Sequence, residues 1–207
     1  YFKTKQYKSR GIFLEKKKSS KNEIGYLKKI KIKAKLILVE NDNIDRASQL
    51  TEKTNQFNFN TKRYKISDIK RLKKNHLCFL VKLSDVYGDH GIVSFFILKK
   101  YKKTLVVDLF LMSCRIMGRY LENWILNEIK KIAINNNKKN ILFEFIPTKN
   151  NKELINNFIK SNNLKKIKKK NASIIEKQNL KLGNKPKAEY YILNTKQKIS
   201  NLKIYEK

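Results

Sequence analysis

From Ile32 to Val39 the chain alternates apolar and polar positions and then runs continuously apolar, which predicts a strand. Asn41-Asp42-Asn43 reads as a turn, with Asp42 or Asn43 placed to cap a helix over residues 44–54. Residues 58–64 read as an extended loop, and Ser67 is placed to cap a short helix over 68–74. Strand signals follow at 78–83, 92–98 and 104–112. They are separated by a turn over 85–91, with two glycines and two aspartates in seven residues, and by a charged link over 99–103. Val106, Val107, Leu109, Phe110 and Leu111 make the third of these strands a central one, covered on both faces. Leu121, Trp124, Ile125, Ile129, Ile132 and Ala133 recur at a spacing of three or four, which predicts an amphipathic helix from about 119 to 135. A strand over 141–146, a helix over 151–161 and a closing strand over 190–193 complete the pattern. Residues 1–33 are mixed and basic, with one helix near 22–30, and the lysine-rich stretch 165–170 reads as a solvated link. Antiparallel strands, then a helical crossover, a strand, a helix and a last strand predict an α+β fold: a mixed, mostly antiparallel sheet flanked by helices.

Composition narrows the possibilities. At 207 residues the chain fits an N-terminal extension over 1–40, one domain over 41–197 and a tail over 198–207. Its 41% of hydrophobic residues can build a sizeable core. No apolar run approaches the ~18 residues of a membrane span, and no apolar stretch follows the basic start as a signal peptide requires. Cys78 and Cys114 are too few for a disulfide framework and do not space like a zinc site, so a reduced, cytoplasmic setting with no metal is expected. The net charge of +32 raises the question of nucleic acid. Only six of the 49 basic residues are arginine, however, and the chain carries 24 asparagines. A lysine and asparagine excess spread along the whole chain is what an AT-rich genome writes, whereas readers of nucleic acid need arginine for bidentate contacts. An acidic protein partner still suits such a charge.

The stretch Leu111-Met112-Ser113-Cys114-Arg115-Ile116-Met117-Gly118-Arg119-Tyr120-Leu121-Glu122 carries the densest chemistry. A strand that ends in a glycine-containing turn and opens a helix presents free backbone N–H groups to an anion. Here the turn also holds Arg115, Arg119 and a thiol. Cys114 reads either as a core residue or as a nucleophile, since a neighbouring arginine and a helix N-terminus favour the reactive thiolate. Cys78 lies inside a predicted strand and reads as core packing.

Other segments join it. Arg46-Ala47-Ser48-Gln49-Leu50-Thr51-Glu52-Lys53-Thr54-Asn55-Gln56-Phe57-Asn58 with Thr61-Lys62-Arg63-Tyr64, then Asp85-Val86-Tyr87-Gly88-Asp89-His90-Gly91, the 111–119 stretch and Ile146-Pro147-Thr148-Lys149-Asn150 occur in one order between about Ile44 and Phe158. In that order they resemble the FkbH-like family, which joins a HAD-type phosphatase domain to a C-terminal GNAT-like acyltransferase domain. The resemblance covers the GNAT-like half. Residues 1–40 resemble the tail of the phosphatase half, but no Asp-x-Asp occurs in the chain, so the phosphatase motif is missing. We therefore read the chain, which begins at Tyr1, as a fragment, a truncated product or the downstream partner of a separately encoded phosphatase.

What the resemblance implies is transfer of a glyceryl-type acyl group to an acyl carrier protein or a sugar acceptor, in polyketide or surface-polysaccharide biosynthesis. The phosphopantetheine of that carrier, or CoA, is the expected cofactor, and a HAD-type phosphatase and the acyl carrier protein are the expected partners. Cys114 is the candidate nucleophile, and Asp85, Asp89 and His90 are candidate acid–base groups on a loop that plain turn chemistry also explains. Arg115, Gly118 and Arg119 are the candidate anion-binding residues. The GNAT acetyl-CoA loop usually reads Arg or Gln, two residues, Gly, one residue, then Gly or Ala; here Tyr120 stands at the last small position, which bears against free CoA. Asn55, Gln56, Asn58, Thr148 and Asn150 are placed to bind a hydroxylated acyl group, or to cap backbone. Two rivals remain: an acyl-CoA-dependent N-acetyltransferase, and a non-enzymatic basic module that binds nucleic acid or docks on a partner.

Overall fold

The computed structural model, which describes residues 2–167, 187–199 and 203–206, builds its strands close to where alternation predicts them. Two helices lead, α1 (Phe2–Ser19) and α2 (Glu23–Lys29), followed by β1 (Lys33–Leu38), α3 (Ile44–Lys53), β2 (Phe57–Asn58) and α4 (Ile66–Asn75). Next come β3 (Leu77–Asp85), β4 (Gly88–Lys100) and β5 (Thr104–Met112), then a single 3-10 turn over Cys114–Ile116 and α5 (Leu121–Asn135). The chain ends with β6 (Asn140–Phe145), α6 (Lys152–Ser161), β7 (Lys165–Ile167) and β8 (Glu189–Asn194).

The sheet order is β1-β3-β4-β5-β6-β8-β7, antiparallel throughout except for the β5–β6 pair. Adjacent strand residues point to opposite faces. Val81, Phe96, Phe110 and Met112 therefore pack with α5, α6 and the N-terminal helices, while Leu80, Phe95, Leu109 and Leu111 pack under α3 and α4. Every residue of β5 is buried, as expected of a strand covered twice.

Several sequence expectations are corrected. Residues 2–19, read as mixed, form a helix whose Phe13 is fully buried in the principal core with Leu27, Ile30 and Ile32. The expected 85–91 turn shrinks to a tight connection, because β3 runs to Asp85 and β4 starts at Gly88 with a register shift between Leu83 and Ser84. The expected loop over 58–64 begins as strand: Phe57 and Asn58 pair with Met112 and Leu111. β5 and β6 pair only over Thr104–Val107 and 140–143 and then diverge. The 57–59 segment lies between them, with Phe59 N–H donating to Phe110 at 3.1 Å and Ile146 N–H donating to Phe59 at 2.8 Å. α5 starts at Leu121 and not near 119, because Tyr120 takes a left-handed φ of 55°. The start of the 165–170 link is the edge strand β7, while 168–170 lie outside the described residues. Among the described residues no helix is long and apolar enough to cross a membrane.

Candidate functional site

The turn after β5 and one face of α3 flank an open cavity of about 360 Å³. Arg46, Gln49 and Lys53 line it from α3, Thr54, Asn55 and Gln56 from the segment after it, and Ser113, Cys114 and Arg115 from the turn after β5. β2 makes the juxtaposition, since its pairing with Met112 and Leu111 sets Gln56 beside Ser113. Arg46 donates from Nε and Nη2 to the Ile92 carbonyl, both at 3.1 Å, and from Nη1 to Gln49 Oε1. Arg115 donates from Nη2 to the His90 carbonyl at 2.8 Å. Burial, and after it the like charge of Arg115, push the Arg46 guanidinium below its usual value. No Asp or Glu lines the cavity among the described residues. Two guanidiniums and an ammonium without a carboxylate make an anion-binding electrostatic setting, with a half-buried thiol in its wall.

Arg119 leaves the same turn in the other direction. Its side chain is fully buried, and its Nε donates to Asp85 Oδ2 at 2.7 Å. The guanidinium lies 3.8 Å from the centroid of the Phe13 ring, and its two Nη atoms have no hydrogen-bond partner among the described residues. The other Asp85 oxygen is 3.1 Å from His90 Nε2 and accepts the Tyr87 N–H at 2.8 Å. Burial alone would raise the Asp85 carboxyl, but His90 and Arg119 outweigh it and hold the group below the usual carboxylate range.

A second cavity, of about 450 Å³, opens between α5 and α6. Met117, Gly118, Tyr120, Glu122, Asn157 and Ser161 are among its lining residues, and Phe57 and Met112 form the side toward the sheet. Glu122 Oε2 is buried there without a hydrogen-bond partner among the described residues, and burial raises the carboxyl above its usual value.

The sequence-selected residues thus divide. Cys114, Arg115, Asn55 and Gln56 share the thiol cavity, with Asn55 and Gln56 exposed at its rim and Asn55 Oδ1 accepting from Arg63. Gly118 lines the second cavity, with φ of 89°. Arg119, Asp85 and His90 form the sealed cluster instead, which removes Asp85 from any role as an open base. Asp89 is exposed and accepts the Gly91 N–H at 2.7 Å, a turn contact. Asn58 is fully buried, bonded to the Thr54 carbonyl and the Thr61 N–H, so it holds backbone rather than lining the cavity. Thr148 Oγ1 accepts the Asn151 N–H at 3.3 Å, and Asn150 is exposed at that turn. Sequence reasoning missed Arg46, Gln49 and Lys53 as site residues. Their spacing, three and then four residues, sets them on one face of α3, together with Leu50, and was a usable signal. It also missed Glu122, for which only burial supplies a signal.

No family model and no curated protein sequence matches the chain. Solved structures do. A GNAT-family acetyltransferase from Staphylococcus aureus superposes with a TM-score of 0.56 at 13% identity, over 78% of this chain and 99% of that one. An acetyltransferase from Streptococcus agalactiae gives 0.57 at 13%, over 78% and 98%. Rv2747 from Mycobacterium tuberculosis, solved in complex with CoA, gives 0.54 at 10%, over 77% and 98%. The chain therefore has the fold of the GNAT acetyltransferases.

Proposed function

We propose that this chain is an acyltransferase domain of the FkbH-like kind, which moves a glyceryl-type or related acyl group to an acyl carrier protein or a sugar acceptor. The setting would be polyketide or surface-polysaccharide biosynthesis, with a HAD-type phosphatase domain or subunit as the working partner. One observation carries the reading. Asn55 and Gln56, far in sequence from Ser113-Cys114-Arg115, meet them around one cavity that holds two arginines and a thiol. The GNAT fold agrees with acyl transfer in general.

In this reading the Cys114 thiolate attacks the acyl carbonyl. A C–S bond forms, and the bond to the activating group breaks, leaving with its electron pair as an anion. Arg46 and Arg115 offset the charge of that anion and of the tetrahedral oxyanion. The acceptor hydroxyl or thiol then attacks the thioester, the C–S bond breaks, and the acceptor's proton passes to the departing thiolate or to water. Asn55 and Gln56, at the rim, are amides able to bond the hydroxyls of a glyceryl group. The net charge of +32 suits an acidic carrier protein.

The residues between α5 and α6 fit a phosphopantetheine arm. The Gly118 turn and the first N–H groups of α5 suit its phosphate, while the buried Glu122 Oε2, with Asn157 and Ser161, suits its amides. Such an arm supplies a thiol as acyl acceptor or donor. The N-acetyltransferase reading is favoured by the likeness to acetyltransferases, one of them solved with CoA. Titration with acetyl-CoA, followed by assay of an amine acceptor, separates it from carrier acylation.

The direct test is intact-protein mass spectrometry after incubation with a glyceroyl thioester. Wild type is expected to gain one glyceroyl group, and Cys114→Ser is expected to gain none. An adduct that persists in Cys114→Ser, or transfer that proceeds at the wild-type rate without the thiol, would sink the nucleophile.

A further inference from the structure

Three consecutive residues of the turn before α5 are each held by the N-terminal helical hairpin. Lys17 Nζ donates to the Gly118 carbonyl at 2.9 Å. The Phe13 ring lies under the Arg119 guanidinium, and the Tyr120 hydroxyl donates to Glu23 Oε1 at 2.7 Å. The grips form one network, because Lys17 and Glu23 pair at 3.0 Å and the Lys17 ammonium lies 5.3 Å from the centroid of the Tyr120 ring. The same hairpin reaches the β3–β4 connection: the Tyr26 and Tyr87 hydroxyls lie 2.8 Å apart, and the Ser9 hydroxyl donates to the Tyr87 carbonyl at 3.3 Å.

The turn needs holding. Gly118 has φ of 89°, and a Cβ at that position would come within 3.1 Å of Lys17 Nζ and 3.4 Å of the Phe13 ring. Tyr120 has φ of 55° with a full side chain, a conformation that persists only where the surroundings over-determine it. Here the surroundings are Glu23 and Lys17. Arg115 lies three residues before Gly118 in the same turn, so the geometry of 118–120 bears on where its guanidinium points.

We propose that the α1–α2 hairpin is a working support behind the site: Lys17 and Glu23 are positioning residues that fix the 118–120 turn and so aim Arg115 into the thiol cavity. Its catalytic meaning rests on the acyl-transfer reading, but its geometric content does not. Neither Lys17 nor Glu23 lines the thiol cavity, so an effect there has to travel through the turn.

The test uses the full chain with Lys17→Met, Lys17→Arg, Tyr120→Phe and, as a control for net charge, Lys18→Met at an exposed position of α1. Two quantities are read: the dissociation constant for inorganic phosphate, to which the Gly118 turn also contributes, and the rate at which iodoacetamide alkylates Cys114, which reports on the thiol cavity itself. Lys17→Met and Tyr120→Phe are expected to shift these by about fivefold or more, roughly 1 kcal/mol, while Lys17→Arg and Lys18→Met stay within about twofold of wild type. If Lys17→Met leaves both within about twofold, the hairpin contributes stability only and the proposal fails, whatever the thermal midpoint does. Equal losses in Lys18→Met would reduce the effect to net charge and also overturn it. Should phosphate not bind wild type, the alkylation rate decides alone. Absence of a glyceroyl adduct, with the alkylation shift intact, would remove the acyl-transfer reading and leave this positioning in place.

Discussion

Arg115 and Arg119 leave one short turn with the same side chain and end in opposite electrostatic settings. Arg119 meets a carboxylate and a ring: its side chain and that of Asp85 are both fully buried, and Nε donates at 2.7 Å. Arg115 meets a second guanidinium, a carbonyl and an open cavity. The first arrangement pairs its charge inside the fold, although its two Nη atoms have no hydrogen-bond partner among the described residues. The second places like charges together without a carboxylate in the lining, so an anion would relieve it. Arginine content alone says nothing about which is which; the neighbours each one meets across the fold decide it.

The largest effect expected from breaking this contrast is on stability. Arg119→Ala strands the Asp85 carboxylate in the core and is expected to cost about 3–5 kcal/mol, read from urea denaturation. Replacing both partners with apolar residues of similar volume should recover much of the loss. A cost below about 1 kcal/mol for Arg119→Ala would mean that the cluster is wetter than its burial indicates.

Arg115→Ala should do the reverse. It is expected to leave the denaturation midpoint nearly unchanged and to weaken binding of inorganic phosphate by ~1.5–3 kcal/mol, the worth of a charge-assisted contact. Lys130→Ala is the control, since Lys130 donates to the Gln197 carbonyl at 2.5 Å and lies outside the thiol cavity. Equal losses in the two variants would show that only overall charge matters.

Acid sharpens the comparison further. The Asp85 carboxyl is held below its ordinary value of 3.8, so the folded state prefers the ionised form. The stability this contributes is fully present above that value and is lost as pH falls through the lower folded value, because unfolded chains then bind the proton first. The gap in thermal midpoint between wild type and Asp85→Asn should therefore narrow below pH 3.8 and stay constant from about 5 upward. A gap that is flat through this range would show that the carboxylate is not the stabilising form.

The smallest effect concerns Asp89, close to Asp85 in sequence and exposed. Asp89→Ala loses one turn hydrogen bond to Gly91 and is expected to cost only about 0.5–1 kcal/mol, with no change in phosphate binding. A large loss of phosphate affinity would return Asp89 to the site.

Much of the fold was legible because it is written in local periods. The run from Thr104 to Met112 reads as a doubly covered strand, and all nine of its residues are buried. The spacing of Leu121, Ile125 and Ile129 reads as a helix face, and all three lie in the principal core. The helix over Phe2–Ser19 was not legible, since its lysines give no amphipathic period and, among its described side chains, Phe13 is the one buried in the core. β2 was hidden for a similar reason: two paired residues have no period, and they become strand because β5 and β6 diverge and leave backbone groups to satisfy.

Taken alone, the sequence determined the α+β order of elements and the segments rich in chemistry, because turn residues, apolar spacing and residue type act over a few neighbours. Only the tertiary structure decided which of those residues meet. Cys114, Arg115 and Gln56 share a cavity because β2 pairs with the end of β5. Asp85 and Arg119 are sealed together because α1 lays Phe13 against the guanidinium and excludes water. Burial and pairing depend on chain segments distant in sequence, and they set whether a charge is open to a ligand or already neutralised.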